Sequence, residues 1–544
     1  MSVTKVTNYL VEPGTNRGKH PSTMGSSWSC NMYREINAEN NYLTSVPGLK
    51  FHRKLLLSAR CRGAYVSSVG LGVNEQRENA FVVFGNRVYR IDANDSVSSI
   101  GSVATGSTRV SFAETGGVNP YLLIADGTNL WAYNLVDGGQ MRRITLPERV
   151  NGDGGQIAPS HVACIAGSVV IDDRQSGYVY YSIAYPLNND QREVFQTEIV
   201  DGVKKPVYDP ENSLKVLTTY VDAFDYMFLD SWGSQQFFNA ESSSDNVRAI
   251  AAVGPNLYLF GFKTVEIWQR GSGENEMWTR QSYTTNASNG LQAPYSIATC
   301  GSNLYYLGAG ESFAKGVLMV SGQSYKKISE DWLDKKLLEE TGDSAFAFAY
   351  SEGNHHFYCL FLNNLQECWV FDEETNEWHQ RTSRVWGTGE ETRWRPSALI
   401  WFRGNFWAFC NDGCMYSFND EYWWEDYANT GNRLPMIRHR QGAVIVNENA
   451  PFIFNELAVE CNVGCWDDYE LQPELLLQVS KDGAMTWGHV RTAKLGRTGN
   501  YSHRVRYHVL GYNRLCCLRL TYSHPTSLEL TACSQRITPT TAVI

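Results

Sequence analysis

The side chains able to do chemistry come in small, separate groups. Cys410 and Cys414, and again Cys461 and Cys465, have three residues between them, a spacing that could give each pair two thiolates for a metal. No histidine or second cysteine pair follows at zinc-site spacing, so both pairs are expected to be small packing residues in strands. His355 and His356 open an apolar run, where strand alternation sends one ring inward and the other outward. Glu373 with Glu374, in DEETNE, and Glu390 with Glu391, in GTGEETR, are adjacent carboxylates. Glycoside hydrolysis wants two carboxyl groups facing each other across a bond. These pairs read instead as solvated turn residues, and no general acid is assigned. The sequence also lacks GxxxxGK[ST], HExxH and GxSxG. No catalytic, cofactor-binding or metal residue is expected, and the chain is read as a non-enzyme.

Two further groups lie near the C-terminus. Ser480-Lys-Asp482-Gly483-Ala-Met-Thr486-Trp487 resembles the Asp-box of sialidase-like, glycan-cleaving propellers. In that motif the glycine falls two positions after the aspartate, whereas Gly483 follows Asp482 directly, and the pattern occurs once. The expected role is a hairpin turn braced by Asp482 and Trp487; a sialidase-like or carbohydrate-binding propeller is the alternative function. The second group is basic: Lys494, Arg497, His503, Arg504, Arg506 and Arg514 fall in one stretch of a chain whose 47 Lys and Arg face 57 Asp and Glu, a formal −10. Arg504 and Arg506 are two apart and project to one face of a strand, a layout suited to a neighbour's carboxylates. Lys494, Arg497, Arg504, Arg506 and Arg514 are the candidate partner-binding residues. An acidic partner ring, the DNA and plain solvent all remain open as what they face. The net charge has the wrong sign for a surface that binds DNA by releasing phosphate counterions.

The elements that carry these residues read as strands. Charged residues are 19% and aromatics 13%, with 46 glycines, a balance that favours strands and tight turns and sets an all-β expectation. Thirteen cysteines, an odd number, form no even disulfide framework. The first residues carry no apolar leader and no run of about 18 apolar residues occurs, so no membrane insertion is expected and the chain is read as made in a cytoplasm. Four stretches superpose as four short strands each: VRAIAAVG, NLYLFG, TVEIW and WTRQSY from Val247; YSIATCG, NLYYLG, GVLMV and YKKIS from Tyr295; FAFAYSEG, NHHFYCLF, ECWVFD and EWHQRT from Phe346; SALIWFRG, NFWAFC, GCMYSF and EYWWEDY from Ser397. Asn256, Asn303, Asn354 and Asn405 hold one equivalent place, at intervals of 47, 51 and 51. A glycine-containing turn precedes each, supplying positive φ for a tight hairpin. The second strand is nearly all apolar, as an inner, doubly buried strand should be. Such a unit is the signature of a β-propeller blade.

Looser units start at Arg62, Thr108 and Ser160, the last completed by QQFFNAE at 235–241. The expected fold is thus a β-propeller of about seven four-stranded blades, with six or eight possible, followed by a C-terminal β-sandwich-like domain. The divisions are an N-terminal arm at 1–59, blades at 60–184, an insertion at 185–234 that breaks the rhythm, blades at 235–431, and the second β domain at 432–544. Either a contact with a neighbour or a long local loop explains the insertion.

Three stretches resemble the packaged-DNA stabilisation, or tail hub and nozzle, proteins of short-tailed phages. The first is SVPGLKFHRKLLLSARCRGAYV, with Pro47-Gly48-Leu49 ahead of Arg62-Gly63. The second, FFNAESSSDNVRAIAAVGPNLYLFGFKTVEIW, carries Ala240-Glu241, Asp245, Gly261, Glu266 and Trp268. The third runs from Asp482, Gly483, Thr486 and Trp487 through Leu495, Gly496, Tyr501, Arg504 and Arg506 to Ser523 and Pro525. The resemblance implies a virion tail protein: a homo-oligomeric ring, a hexamer, docked below the portal and its adaptor ring. It further implies that a tail needle or plug and tailspikes or tail fibres attach to the ring, and that double-stranded DNA passes through it on ejection.

Overall fold

The computed structural model describes residues 3–6, 27–36, 41–56, 59–67, 79–116, 120–136, 138–150, 154–173, 175–182, 191–200, 203–222, 232, 237–240, 245–271, 278–281, 289–310, 313–322, 324–419, 422–428, 431–446, 450–466 and 470–540. The chain forms two compact units: 60–294 with 308–312, and 1–59 with 295–307 and 313–544.

In the first unit, antiparallel four-stranded sheets follow one another along the chain. They are Cys61–Ser67, Asn79–Phe84, Arg87–Ile91 and Val97–Ser102; Ser111–Glu114, Tyr121–Ala125, Leu130–Asn134 and Gly138–Arg143; and Val162–Ile165, Ser168–Asp172, Val179–Tyr181 and Phe237–Phe238. The next is Val247–Val253, Asn256–Gly261, Val265–Arg270 and Trp278–Arg280. The expected return of the chain at Phe237 to finish the third sheet is correct: Val179 pairs with Phe238 and Tyr180 with Phe237. Apolar layers lie between successive sheets, as where Phe81, Val83 and Val88 meet Leu122, Ile124 and Tyr133. Burying each such side chain contributes about 1.5–3 kcal/mol.

Within the insertion, the described residues make three two-stranded antiparallel sheets that pair only with themselves: Gln191–Phe195 with Thr218–Asp222, Thr197–Val200 with Val203–Pro206, and Tyr208–Asp209 with Asn212–Val216. Backbone bonds from Gln196 to Leu217, Val207 to Gln196 and Leu217 to Val207 join them into one β arm.

The second unit holds sheets of the same kind followed by a sandwich. Phe346–Glu352, His355–Leu362, Glu367–Asp372 and Glu377–Gln380 form one such sheet, and Ala298–Cys300, Asn303–Gly310, Phe313–Ser321 and Ser324–Lys327 lie in another. The second strands are the buried ones: Leu257 and Phe357 are wholly covered, Leu304 nearly so, and Phe406 is 6% exposed. Gly254, Gly301, Gly353 and Gly404 all have positive φ in the turns before them. At the last turn Arg403 also has positive φ, so both central residues take the left-handed conformation that a two-residue hairpin demands.

One expectation fails here. EYWWEDY does not complete the fourth repeat; the edge of Pro396–Phe402, Asn405–Cys410 and Cys414–Phe418 is filled by Lys50–Lys54 from the N-terminal segment. Trp424–Tyr427 instead pairs with Asn432–Pro435. A strand about 360 residues away along the chain wins because Leu49 and the chain before it are drawn into the apolar layer, with Val46 and Leu49 fully buried among Phe346, Phe357 and Phe418.

The N-terminal segment also supplies strands to the sandwich. One sheet of it contains Met32–Ile36, Asn41–Ser45, Leu530–Pro539, Phe452–Cys461 and Val505–Asn513, with Val3–Val6 on Leu530–Pro539; the other contains Arg438–Gln441, Leu515–Tyr522, Glu474–Ser480 and Arg491–Lys494. Phe452, Leu457, Leu477, Tyr507, Leu518 and Leu520 fill the space between them. Trp28–Cys30 lies between Glu377–Gln380, parallel, and Arg438–Gln441, antiparallel, so that one continuous sheet runs from the 346–380 strands into the sandwich.

Candidate functional site

The basic stretch is built on Val505–Asn513 and its flanks. Arg504, Arg506 and His508 are exposed while Val505 and Tyr507 are buried, the alternation of a half-buried strand. Beyond His508 the ladder slips: Glu456 pairs with His508 and Phe454 with Gly511, so Asn455 alone faces Val509 and Leu510. Val509 takes φ 57° in this β-bulge. The slip turns Val509 outward and Leu510 inward, and Tyr512 and Arg514, at even spacing from Arg504, are exposed on its face. A stripe about 33 Å long results, at roughly 3.3 Å per residue over ten residues, with arginines at both ends and apolar side chains between them. Ile453, the cross-strand partner of Tyr512, widens it.

Lys494 and Arg497 belong to one end, where His503 Nε2 lies 2.8 Å from the carbonyl oxygen of Lys494. Arg514 stands at the other, about 26 Å from Arg506 along the strand. The five candidate residues therefore line a stripe and do not converge on one point. Arg506 is partly committed within the chain, 3.3 Å from Glu456, which also meets Arg536 at 3.5 Å. Lys494, Arg497, Arg504 and Arg514 are exposed and make no ion pair among the described residues.

The Asp482 turn is a brace. Its Oδ1 accepts from the amides of Met485, at 3.0 Å, and Thr486, at 2.9 Å, and from the Ser480 hydroxyl at 2.7 Å, while Thr486 Oγ1 donates to Oδ2 at 2.5 Å. The Thr486 hydroxyl and amide, with Ser480, hold the exposed Asp482 carboxyl down at about 2. Trp487 lies flat under the Arg519 guanidinium at 4.1 Å. Four donors brace the turn through this carboxylate, and its lowered pKa is the reverse of what a general acid near neutral pH needs.

The other sequence candidates resolve into structural parts. Cys410 and Cys414 are buried, Cys461 is half-buried and Cys465 exposed, and no group of three or more metal-ligating side chains comes together among the described residues. Two of the carboxylates are not free turn groups but have side-chain partners: Glu373 is half-buried, and Glu391 is exposed yet paired. Glu373 accepts from Asn303 Nδ2 and the Tyr305 hydroxyl, tying two sheets together. Glu391 meets His439 Nε2 at 2.9 Å. Glu374 and Glu390 are exposed as expected.

The residues shared with the phage tail resemblance also have mechanical roles. A Cβ on Gly48 would stand 2.0 Å from the carbonyl oxygen of Trp424. Arg62, 1% exposed, donates to the carbonyls of Thr108, Gly85, Ala104 and Asp126. Asp245 collects the amides of Phe262, Lys263 and Thr264, and a Cβ on Gly261 would lie 2.3 Å from its Oδ2. Buried Glu266 accepts from Trp268 Nε1 at 2.8 Å and meets Arg280 at 3.5 Å. Glu241, in the same motif, lies outside the described residues.

Sequence reasoning missed the joint around Trp28–Cys30. Asn31, 1% exposed with φ 53°, donates from Nδ2 to the carbonyls of Ile437, at 2.7 Å, and Thr382, at 3.2 Å, and accepts the Thr382 amide at 3.0 Å. His355, the inward histidine, sits between Asp372, 2.8 Å from Nδ1, and Glu35, 3.2 Å from Nε2. Burial alone would lower its pKa, but the two carboxylates outweigh that and raise it. His356 is half-buried with Nδ1 2.7 Å from Ser351 Oγ, so the alternation expectation is correct. Glycine ahead of an apolar strand signals a turn from sequence; a lone asparagine at position 31 carries no comparable signal.

These sheets and the paired layers after them define a nearly all-β protein of repeated four-stranded sheets followed by a two-sheet sandwich. Two family models match it, bacteriophage P22 Gp10, beta-propeller, over residues 222–420 and bacteriophage P22 Gp10, beta-sandwich, over residues 438–538, together more than half of the chain. The chain belongs to the P22 Gp10 family of phage tail hub and packaged-DNA stabilisation proteins, which are structural components of the virion tail. No curated protein matches the sequence. Among solved structures it is similar to a catalytically inactive virginiamycin B lyase from Staphylococcus aureus, at 9% identity and TM-score 0.39, covering 68% of this chain and 99% of that one. The N-terminal domain of Nup159 matches at 10% identity and TM-score 0.35, covering 73% and 100%. BamB from Moraxella catarrhalis matches at 9% and 0.30, covering 71% and 96%.

Proposed function

We propose that the chain is the subunit of a homo-oligomeric ring, a hexamer, that extends the portal channel of a short-tailed phage, helps retain packaged DNA and forms the conduit for its ejection. In this reading residues 60–184 and 235–431 supply about seven blades, 185–234 is an interaction segment, and 432–544 is the sandwich domain. The ring assembles in the host cytoplasm, docks below the portal and adaptor ring, and carries the needle or plug and the tailspikes or fibres. The observation that carries the reading is the order of the two family matches, propeller then sandwich, over the two kinds of sheet found in that order. The formal charge of −10 supports a neutral to acidic bore. A basic lining would hold the DNA, since each phosphate contact adds salt-dependent affinity. Lys494, Arg497, Arg504, Arg506 and Arg514 then serve protein partners.

The test is to package particles lacking this chain. They are expected to fill and then leak DNA, to lack the distal tail in electron micrographs, and to be restored by adding the purified protein. Particles that lack it yet keep both their DNA and a complete tail refute the reading.

A further inference from the structure

The sandwich stripe has a composition and a charge that together specify its occupant. From Gly483 to Leu528 the sequence contains no aspartate or glutamate and seven bases, Arg491, Lys494, Arg497, Arg504, Arg506, Arg514 and Arg519. Against a total of −10 this leaves the rest of the chain at −17. Exposed large apolar side chains are interleaved with those bases: Val509 is 74% exposed, Tyr501 72% and Tyr512 54%. Arginine and tyrosine around a few exposed apolar residues are the mixture found at the centres of protein interfaces. Nucleic acid is the poorer fit, because a groove for it would not place valine and isoleucine midway along the stripe.

The complementary surface is present on the same chain. The insertion at 185–234 has nine acidic residues against four basic ones. Its described part is the self-paired β arm of 191–200 and 203–222, and one of the two hairpins at its end has the tip Tyr208-Asp209-Pro210-Glu211-Asn212, where Asp209 Oδ1 accepts the Glu211 amide at 2.9 Å. Tyr208 is 50% exposed and Glu211 is exposed. The tip thus offers an aromatic ring beside carboxylates, the counterpart of arginines beside apolar side chains.

We propose that the arm of one copy docks its 208–212 tip on the Lys494, Arg497, Arg504 end of the sandwich stripe of a second copy, so that each subunit both gives and receives one arm. Such a head-to-tail contact closes into a ring when its rotation divides the circle. The inference rests on the ring reading above and adds the surfaces that hold neighbours together.

Charge reversal tests it on the full chain, with assembly followed by mass photometry against concentration and fold checked by circular dichroism. Asp209→Lys with Glu211→Lys, or Lys494→Glu with Arg497→Glu and Arg504→Glu, is expected to raise the concentration for half-assembly by at least about tenfold. Neutral Glu211→Gln and Arg504→Gln should do so more mildly, and both reversals in one chain should restore assembly. Carbodiimide treatment of mixed isotope-labelled and unlabelled wild-type protein should give an amide between Glu211 of one copy and Lys494 of another. The inference is overturned if either reversal leaves assembly unchanged, if the combined chain is no better than the single-sided ones, if the cross-link forms only within one copy, or if wild-type protein stays monomeric throughout. Those outcomes leave the tail hub reading standing, because DNA retention by particles with and without the chain is measured separately.

Discussion

Replacing Asn31 by alanine removes the pin at the joint between the N-terminal strand, Thr382 and Ile437. Two costs follow. The carbonyl of Ile437 and the amide of Thr382 lose side-chain partners now at 2.7 and 3.0 Å, in a place where Asn31 is 1% exposed. Each buried group left unmade costs about 1–3 kcal/mol. The backbone at φ 53° adds about 1 kcal/mol for a residue with a Cβ and no local hydrogen bond to offset it. The sum for Asn31→Ala is about 3–7 kcal/mol. Asn31→Gly keeps the left-handed conformation at no steric cost and should recover about 1 kcal/mol of it. Asn31→Asp presents an oxygen to two carbonyls and should be no better than alanine. The assay is amide hydrogen exchange at Thr382 and across Met32–Ile36, where a loss of 3 kcal/mol means exchange roughly a hundredfold faster. If Thr382 in Asn31→Ala exchanges within about tenfold of wild type, or if glycine is no better than alanine, the reasoning is refuted.

Three other outcomes are expected. Gly261→Ala, whose methyl would stand 2.3 Å from Asp245 Oδ2, should lower stability by about 1–3 kcal/mol, read as a shifted urea midpoint with faster exchange at 262–264; an unchanged midpoint contradicts the packing argument. The Asp482 carboxyl, held at about 2 against an ordinary 3.8 by Thr486 and Ser480, gives the turn a contribution that is complete above 3.8 and lost as pH falls through about 2. Carbon NMR should show that titration and its upward move in Thr486→Val, while the protein should turn over neither sialosides nor other glycans; turnover abolished by Asp482→Ala would favour the enzyme alternative. His355, raised above its ordinary 6.5 by Asp372 and Glu35 against the pull of burial, should hold the Met32–Ile36 strand fully below 6.5 and release it as pH rises through the folded value. Exchange at 32–36, corrected for its intrinsic pH dependence, should show that step and lose it in Glu35→Gln; identical profiles count against the clamp.

The sequence by itself determined the repeat. Alternating apolar runs, glycine turns before Asn256, Asn303, Asn354 and Asn405, and the nearly all-apolar second strands are set by neighbours a few residues apart, so they leave a local pattern. The two-residue alternation of Arg504 and Arg506 was legible for the same reason, as was the bracing of the Asp482 turn. Tertiary structure alone decided what lies far apart in the chain. Lys50–Lys54 fills the edge of the 396–418 sheet, and Trp28–Cys30 joins Glu377–Gln380 to Arg438–Gln441, because an open edge and an apolar layer accept any strand of suitable pattern that topology brings near. Glu373 and Glu391 look like unpartnered turn carboxylates until Tyr305 and His439 arrive from elsewhere. The bulge at Val509 is likewise invisible in sequence: the slip against the partner strand's register turns Val509 outward and Leu510 inward, between residues whose even spacing from Arg504 already sets their face.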